Sequence, residues 1–138
     1  MIRPAKPTDA TTLTRLQSQL RERSPNLLAG ALDAADLSPT TALVSTADGS
    51  PVGYLLAVPG DDAVYIAELV VDPAHRREGR AKALLSACAA RTDAERLTVT
   101  VAPENEAAQS LYRSCGFERV RRLPDFFEDG PAVLYRRD

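Results

Sequence analysis

The chain has 138 residues, 44% of them hydrophobic and 26% charged, with a formal net charge of -2 and a pI of about 5.5. That is enough for one domain, residues 1–138, with a core needing no metal or disulfide, and the slightly acidic balance argues against a general nucleic-acid-binding domain. Cys88 and Cys115 are too few for a secreted disulfide scaffold and read as free thiols; with no leader pattern in residues 1–20 and no membrane-length apolar run, the expectation is a cytoplasmic protein with no membrane partner.

In chain order, Met1 to Ala5 reads as a short strand. Thr8-Asp9 offers an N-cap to a helix carrying Leu13, Leu16 and Leu20 at helical spacing. Ser24-Pro25 ends that helix or begins another, and the alanine- and leucine-rich stretch Leu27 to Leu37 predicts a second. Thr41 to Thr46 predicts a strand, Asp48-Gly49 a hairpin turn, and Pro51 to Pro59 the returning strand. Gly60-Asp61-Asp62 turns again, and Ala63 to Val71 is the longest strand candidate. Asp72 to Gly79 is polar and basic. Ala81, Leu84, Leu85 and Cys88 then mark the buried face of a helix. Arg96 to Ala102 predicts a strand, Pro103-Glu104-Asn105 opens a short helix closed by Gly116, and Phe117 to Arg122 and Ala132 to Tyr135 are the last strands. The strand–helix–strand run from residue 63 to 102 predicts a right-handed crossover. The fold class is α/β, a mixed sheet with about four helices.

The most informative segment joins the long strand to the following helix, from Val70 to Lys82. A helix N-terminus presents unpaired N–H groups and a partial positive charge. Gly79 permits close backbone approach, Ala81 keeps the next turn narrow, and Arg76, Arg77, Arg80 and Lys82 add charge. A phosphate suits that geometry, although an ordinary strand–helix turn with solvated arginines has the same residues. The segment matches neither a dinucleotide fingerprint nor a Walker A sequence.

Arg76-x-x-Gly79-x-Ala81, preceded by Leu69-Val70-Val71-Asp72-Pro73, resembles the Arg/Gln-x-x-Gly-x-Gly/Ala motif of the GNAT acetyltransferases. The resemblance implies a mostly antiparallel sheet of six to seven strands, splayed between the fourth and fifth. It implies acetyl-CoA as cosubstrate. Backbone N–H groups around Arg77, Glu78, Gly79, Arg80, Ala81 and Lys82 would hold its pyrophosphate, with Arg76 opening the motif, and the backbone of Leu69 and Val71 would pair with pantetheine along an open strand edge. Asn105-x-x-Ala108-x-x-Leu111-Tyr112-x-x-x-Gly116-Phe117 fits a second signature of the same family, in the right order and one strand later. Asn105 also reads as an N-cap and Gly116 as a helix stop. Residues 2–9 resemble the family's usual opening.

Attack of an amine on a thioester needs a neutral amine, a donor for the developing oxyanion and a proton for the departing thiolate. The resemblance assigns the proton to Tyr112, whose phenol is protonated at neutral pH; the plain alternative is a half-buried aromatic bonded to a carbonyl. A backbone N–H around Val70 is the candidate oxyanion donor. Glu68, on the strand among apolar neighbours, is the candidate base; otherwise it pairs with an arginine or faces solvent. His75 reads as an exposed turn residue, Cys88 and Cys115 as packing, and no His/Cys/Asp cluster has metal-ligand spacing, so no metal is expected.

The tail from Arg121 to Tyr135 resembles the end of ribosomal-protein N-terminal acetyltransferases, with an aromatic pair, Phe126-Phe127, and an acidic-glycine turn, Glu128-Asp129-Gly130. That subgroup carries a glutamate where this chain has Thr100, which cannot act as a base. The expected acceptor is therefore an amine-bearing small molecule or a peptide; Glu68, Asp125, Glu128 and Asp129 suit a cationic one, although the last three equally fit a solvated loop. A homodimer is implied only by the resemblance. The competing readings are a non-catalytic acyl-CoA-binding or regulatory domain of the same fold and an unrelated nucleotide-binding domain.

Overall fold

The computed structural model describes residues 1–20, 23–33, 40–92, 95–127 and 130–138. Seven strands, β1 (Ile2–Pro4), β2 (Thr41–Ala47), β3 (Ser50–Pro59), β4 (Ala63–Val71), β5 (Arg96–Val101), β6 (Glu118–Phe127) and β7 (Gly130–Arg137), form one sheet in the order β1-β2-β3-β4-β5-β7-β6. All neighbours are antiparallel except β4 and β5, which run parallel across the connection through a helix. Among the described residues the helices are α1 (Ala10–Gln17), α2 (Pro25–Leu32), α3 (Arg80–Ala90) and α4 (Glu106–Ser114).

Apolar side chains cover both faces of the sheet. Leu13 and Leu16 of α1 and Leu28 and Leu32 of α2 pack on one face with Val44, Tyr54, Leu56 and Val70. Leu84, Leu85 and Cys88 of α3 and Tyr112 of α4 pack on the other with Leu55, Ile66, Val99, Val133 and Tyr135. This double cover explains why β3 is buried almost continuously instead of alternating. Full burial of each such leucine stabilises the fold by about 1.5–3 kcal/mol.

Local chemistry fixes the boundaries. Asp48 and Gly49 both take positive φ, the geometry that matches a hairpin's twist. Pro25 begins α2, where its missing N–H costs nothing. α1 stops at Gln17, so Leu20 lies beyond the helix, and α2 stops at Leu32; residues 34–37 of the expected second helix lie outside the described residues. Asn105 caps α4, its side chain accepting the Ala108 N–H at 3.1 Å, and Gly116 exits that helix at φ 90°. β6 runs to Phe127, five residues past its expected end. It lies at the sheet edge with most side chains exposed, so it lacks the apolar alternation that announces a strand.

Two irregularities shape the centre of the sheet. The β4–β5 ladder runs from Ala63↔Arg96 to Ile66↔Val99 and stops, so the last residues of β4 have no partner on that side. On the other side, the register with β3 shifts between Leu56↔Glu68 and Ala57↔Ile66, leaving Ala67 as a bulge. The bulge changes which face later residues occupy: Ile66 packs with α3 and α4, whereas Val70 packs with α1 and α2.

Candidate active site

Where β4 and β5 part, a cleft of about 380 Å³ opens between them. Tyr65, Ala67, Glu68 and Leu69 of β4, Val99 and Thr100 of β5, and Asn105, Ala108 and Tyr112 from α4 and its cap line it, with Leu20 and Phe127 also contributing. The structure thus brings Glu68, Leu69, Asn105 and Tyr112 to one cleft. The β4–α3 turn continues from the end of the same strand.

That turn is built to leave N–H groups unused. Asp72 turns the chain out of β4, its carboxylate accepting the Ala74 N–H at 2.9 Å. Arg77 and Gly79 both take positive φ, at 63° and 77°. The first helical bond of α3 runs from Ala83 N–H to Gly79 O, so the N–H groups of Arg80, Ala81 and Lys82 have no intrahelical acceptor, and no side chain caps them. A Cβ built on Gly79 meets no protein atom within 4 Å, so the turn faces open space.

The charged side chains of the turn divide. Arg80 points back to the sheet, donating to Ser45 Oγ at 3.0 Å, Thr46 O at 3.2 Å and Glu78 Oε1 at 3.0 Å, and so braces α3 against β2. Arg76 Nε donates to Val71 O at 3.0 Å. Glu78 is held below the usual carboxylate range by Arg80, with His75 also nearby at 3.5 Å. Arg77 and Lys82 are exposed and have no ion-pair partner among the described residues. An anion here would meet backbone N–H groups first and the Arg77 and Lys82 side chains second.

Tyr112 is 5% exposed, its ring meeting Phe117 edge-on at 5.3 Å between centroids. Burial, with Tyr65 and Cys115 close by, pushes its phenol well above the ordinary tyrosine range, so it holds its proton. Among the described residues no fully buried side-chain oxygen or nitrogen lacks a partner, and the Tyr112 hydroxyl makes no hydrogen bond to another described residue. Its hydroxyl therefore reaches the cleft that the ring lines, not an interior carbonyl.

Glu68 departs from its expected surroundings. It is 3% exposed, and among the described residues no arginine pairs with it. The bulge at Ala67 turns it toward α1, where Gln17 Nε2 donates to both carboxylate oxygens at 3.1 Å, Ser24 N–H to Oε2 at 2.6 Å and Tyr54 O–H to Oε1 at 2.8 Å. A second polar pair, absent from the sequence reading, bridges the parting strands: the Tyr65 and Thr100 hydroxyls lie 2.6 Å apart. Burial raises the Tyr65 phenol and the Thr100 hydrogen bond opposes it. No sequence motif marks this pair; the parallel packing of β4 beside β5 brings it together. Glu128 and Asp129 of the acidic-glycine turn lie outside the described residues. No group of three or more potential metal ligands occurs among the described residues, and no helix there is long and apolar enough to cross a membrane.

The acetyltransferase (GNAT) family model matches residues 10–117. The chain is 39% identical over 89 residues to a mycothiol acetyltransferase from Clavibacter sepedonicus, covering 64% of this chain but only 29% of that protein. It is 32% identical over 118 residues to the L-2,4-diaminobutyric acid acetyltransferase of Streptomyces coelicolor, covering 73% of this chain and 69% of that protein. In fold it resembles Arabidopsis thaliana NAA60 in complex with acetyl-CoA, with a TM-score of 0.80 at 20% identity over 99% of this chain and 96% of that one.

Proposed function

The chain belongs to the GNAT family of acetyltransferases, and from that premise we propose that it transfers the acetyl group of acetyl-CoA to a primary amine of a small molecule. The observation that carries this reading is the continuity of three features. An unpaired β4 edge runs from Ala67 onward, a turn with unused N–H groups follows it, and the Tyr112 hydroxyl opens into the cleft between.

The residues fit the cosubstrate. The N–H groups of Arg77 to Lys82 suit a diphosphate, and the free edge at Leu69 to Val71 suits the amide groups of a pantetheine arm. Acetyl-CoA, when bound, supplies the activated acetyl thioester. In the transfer a nitrogen–carbon bond forms, the carbon–sulfur bond breaks, the amine loses a proton and the sulfur gains one. Tyr112 keeps a proton on its hydroxyl oxygen, because its burial disfavours the phenolate, and is the donor to the departing thiolate. The main-chain N–H near Val70 is the oxyanion donor.

The cleft also bears on the acceptor. The residues lining it include Glu68, Glu104, Tyr65 and Thr100, and none of its described lining residues is cationic. That lining offers no counter-ion to an acceptor's carboxylate. The two relatives, named for mycothiol and diaminobutyric acid, support a small-molecule amine.

The test is thiol release from acetyl-CoA across a panel of diamines, amino acids and peptides with free N-termini. Turnover of diamines ahead of amino acids, abolished in Tyr112→Phe, is expected. Tight acetyl-CoA binding without turnover of any amine would favour a non-catalytic acyl-CoA-binding domain.

A further inference from the structure

Glu68 lies on the cleft's rim, yet both of its carboxylate oxygens are already engaged. Oε1 accepts from Gln17 and Tyr54, and Oε2 accepts from Gln17 and Ser24. A carboxylate offers about four lone-pair sites, and four donor contacts occupy them. Three separate parts of the chain supply these donors: the last residue of α1, the residue that caps α2, and the middle of β3. To accept a proton from an amine, Glu68 must first release one donor, which then faces a neutral carboxylic acid in a buried site. The arrangement suits a permanent acceptor better than a base that gains and loses a proton in each turnover.

We propose that Glu68 is a positioning residue: its carboxylate clamps the end of α1 and the start of α2 to β4, and so holds the acceptor wall of the cleft in place. The inference rests on the transferase reading for its consequence, but not for its geometry. Leu20 lines the cleft three residues after Gln17, and its N–H bonds back to Gln17 O at 3.0 Å. Anchoring Gln17 therefore anchors Leu20. The bulge at Ala67 is part of the device, since in a regular strand residue 68 would face α3 and α4 and not α1. Binding of acetyl-CoA depends on the turn from Arg77 to Lys82, which the clamp does not touch.

The experiment compares Gln17→Leu, Tyr54→Phe and Glu68→Gln with the wild-type chain. Acceptor KM, kcat, the pH profile of kcat/KM and the acetyl-CoA Kd are measured, with hydrogen exchange at the Ser24 amide as a readout independent of activity. The clamp predicts that all three raise acceptor KM by about tenfold or more with a smaller change in kcat. They leave the acidic limb of the pH profile and the acetyl-CoA Kd in place, and they speed exchange at Ser24. The result that overturns it is a loss of about 10²–10⁴ in kcat with disappearance of the acidic limb in Glu68→Gln alone, while Gln17→Leu and Tyr54→Phe keep wild-type KM. If wild type acetylates no amine, the transferase reading fails, and the clamp is judged on exchange at Ser24: an unchanged rate in Tyr54→Phe overturns it too.

Discussion

Replacing Tyr112 by phenylalanine removes one oxygen from the protein and separates packing from chemistry. The ring is 5% exposed and stacked edge-on against Phe117 at 5.3 Å, and phenylalanine preserves both its volume and that contact. The hydroxyl makes no hydrogen bond to another described residue, so its loss leaves no buried partner unsatisfied among them. The expected change in stability is therefore small, within about 0.5 kcal/mol. If the hydroxyl supplies the thiolate's proton, kcat falls by about 10²–10⁴, roughly 3–5 kcal/mol of barrier. Because the folded-state phenol is raised above its ordinary value near 10, the wild-type rate shows no alkaline decline from Tyr112 at or below about pH 10. A continuous thiol-release assay, run beside thermal melts with and without acetyl-CoA, reads both quantities. The reasoning is refuted by a Phe variant within threefold of wild-type kcat, or by one whose activity loss tracks a collapse of its melting temperature.

Gly79→Ala places a side chain at φ 77° and is expected to cost about 1–2 kcal/mol in stability and to weaken acetyl-CoA binding at least about tenfold by distorting the N–H cradle; chemical denaturation and calorimetry measure the two. Gly53→Ala on β3 brings a Cβ to 2.9 Å from Val70 O, so β4 must shift where it enters the turn, with a stability loss of about 1–3 kcal/mol in urea melts. Arg3 donates to Asp9 at 2.8 and 3.0 Å, and the Lys6 N–H adds a third bond, which together hold the Asp9 carboxyl below its usual range. Its folded pKa lies below its unfolded one, so this stabilisation is complete above about pH 4 and disappears as pH falls through the lowered value. Urea midpoints from pH 7 to pH 2 are expected to fall more steeply for wild type than for Asp9→Asn, and parallel curves would contradict the assignment.

The site was legible where local chemistry and fold agree. β4 from Ala63 to Val71 is apolar enough to declare itself, Gly79 and Gly116 mark positive-φ turns, and Asn105 caps α4 as its position predicts. The splay between β4 and β5 followed from the family resemblance and not from the residues of either strand. The surroundings of Glu68 were hidden because a bulge leaves no trace in an apolar run: Ile66, Leu69, Val70 and Val71 look alike whichever face they occupy. Gln17 and Tyr54, its partners, lie 51 and 14 residues away in sequence, and only the folded sheet brings them together. The Tyr65–Thr100 pair was missed for the same reason, since register between parallel strands is set by the crossover. Thr100 was read as the absence of a base, whereas the structure makes it the partner of Tyr65.

Backbone amide shifts during a titration of the isotope-labelled chain with CoA test the central claim most directly. The account predicts the largest changes at Arg77 to Lys82 and Glu68 to Val71, with smaller ones from Asn105 to Tyr112. Saturable binding that moves β6 or the helices α1 and α2 instead, with residues 77–82 unaffected, would contradict it.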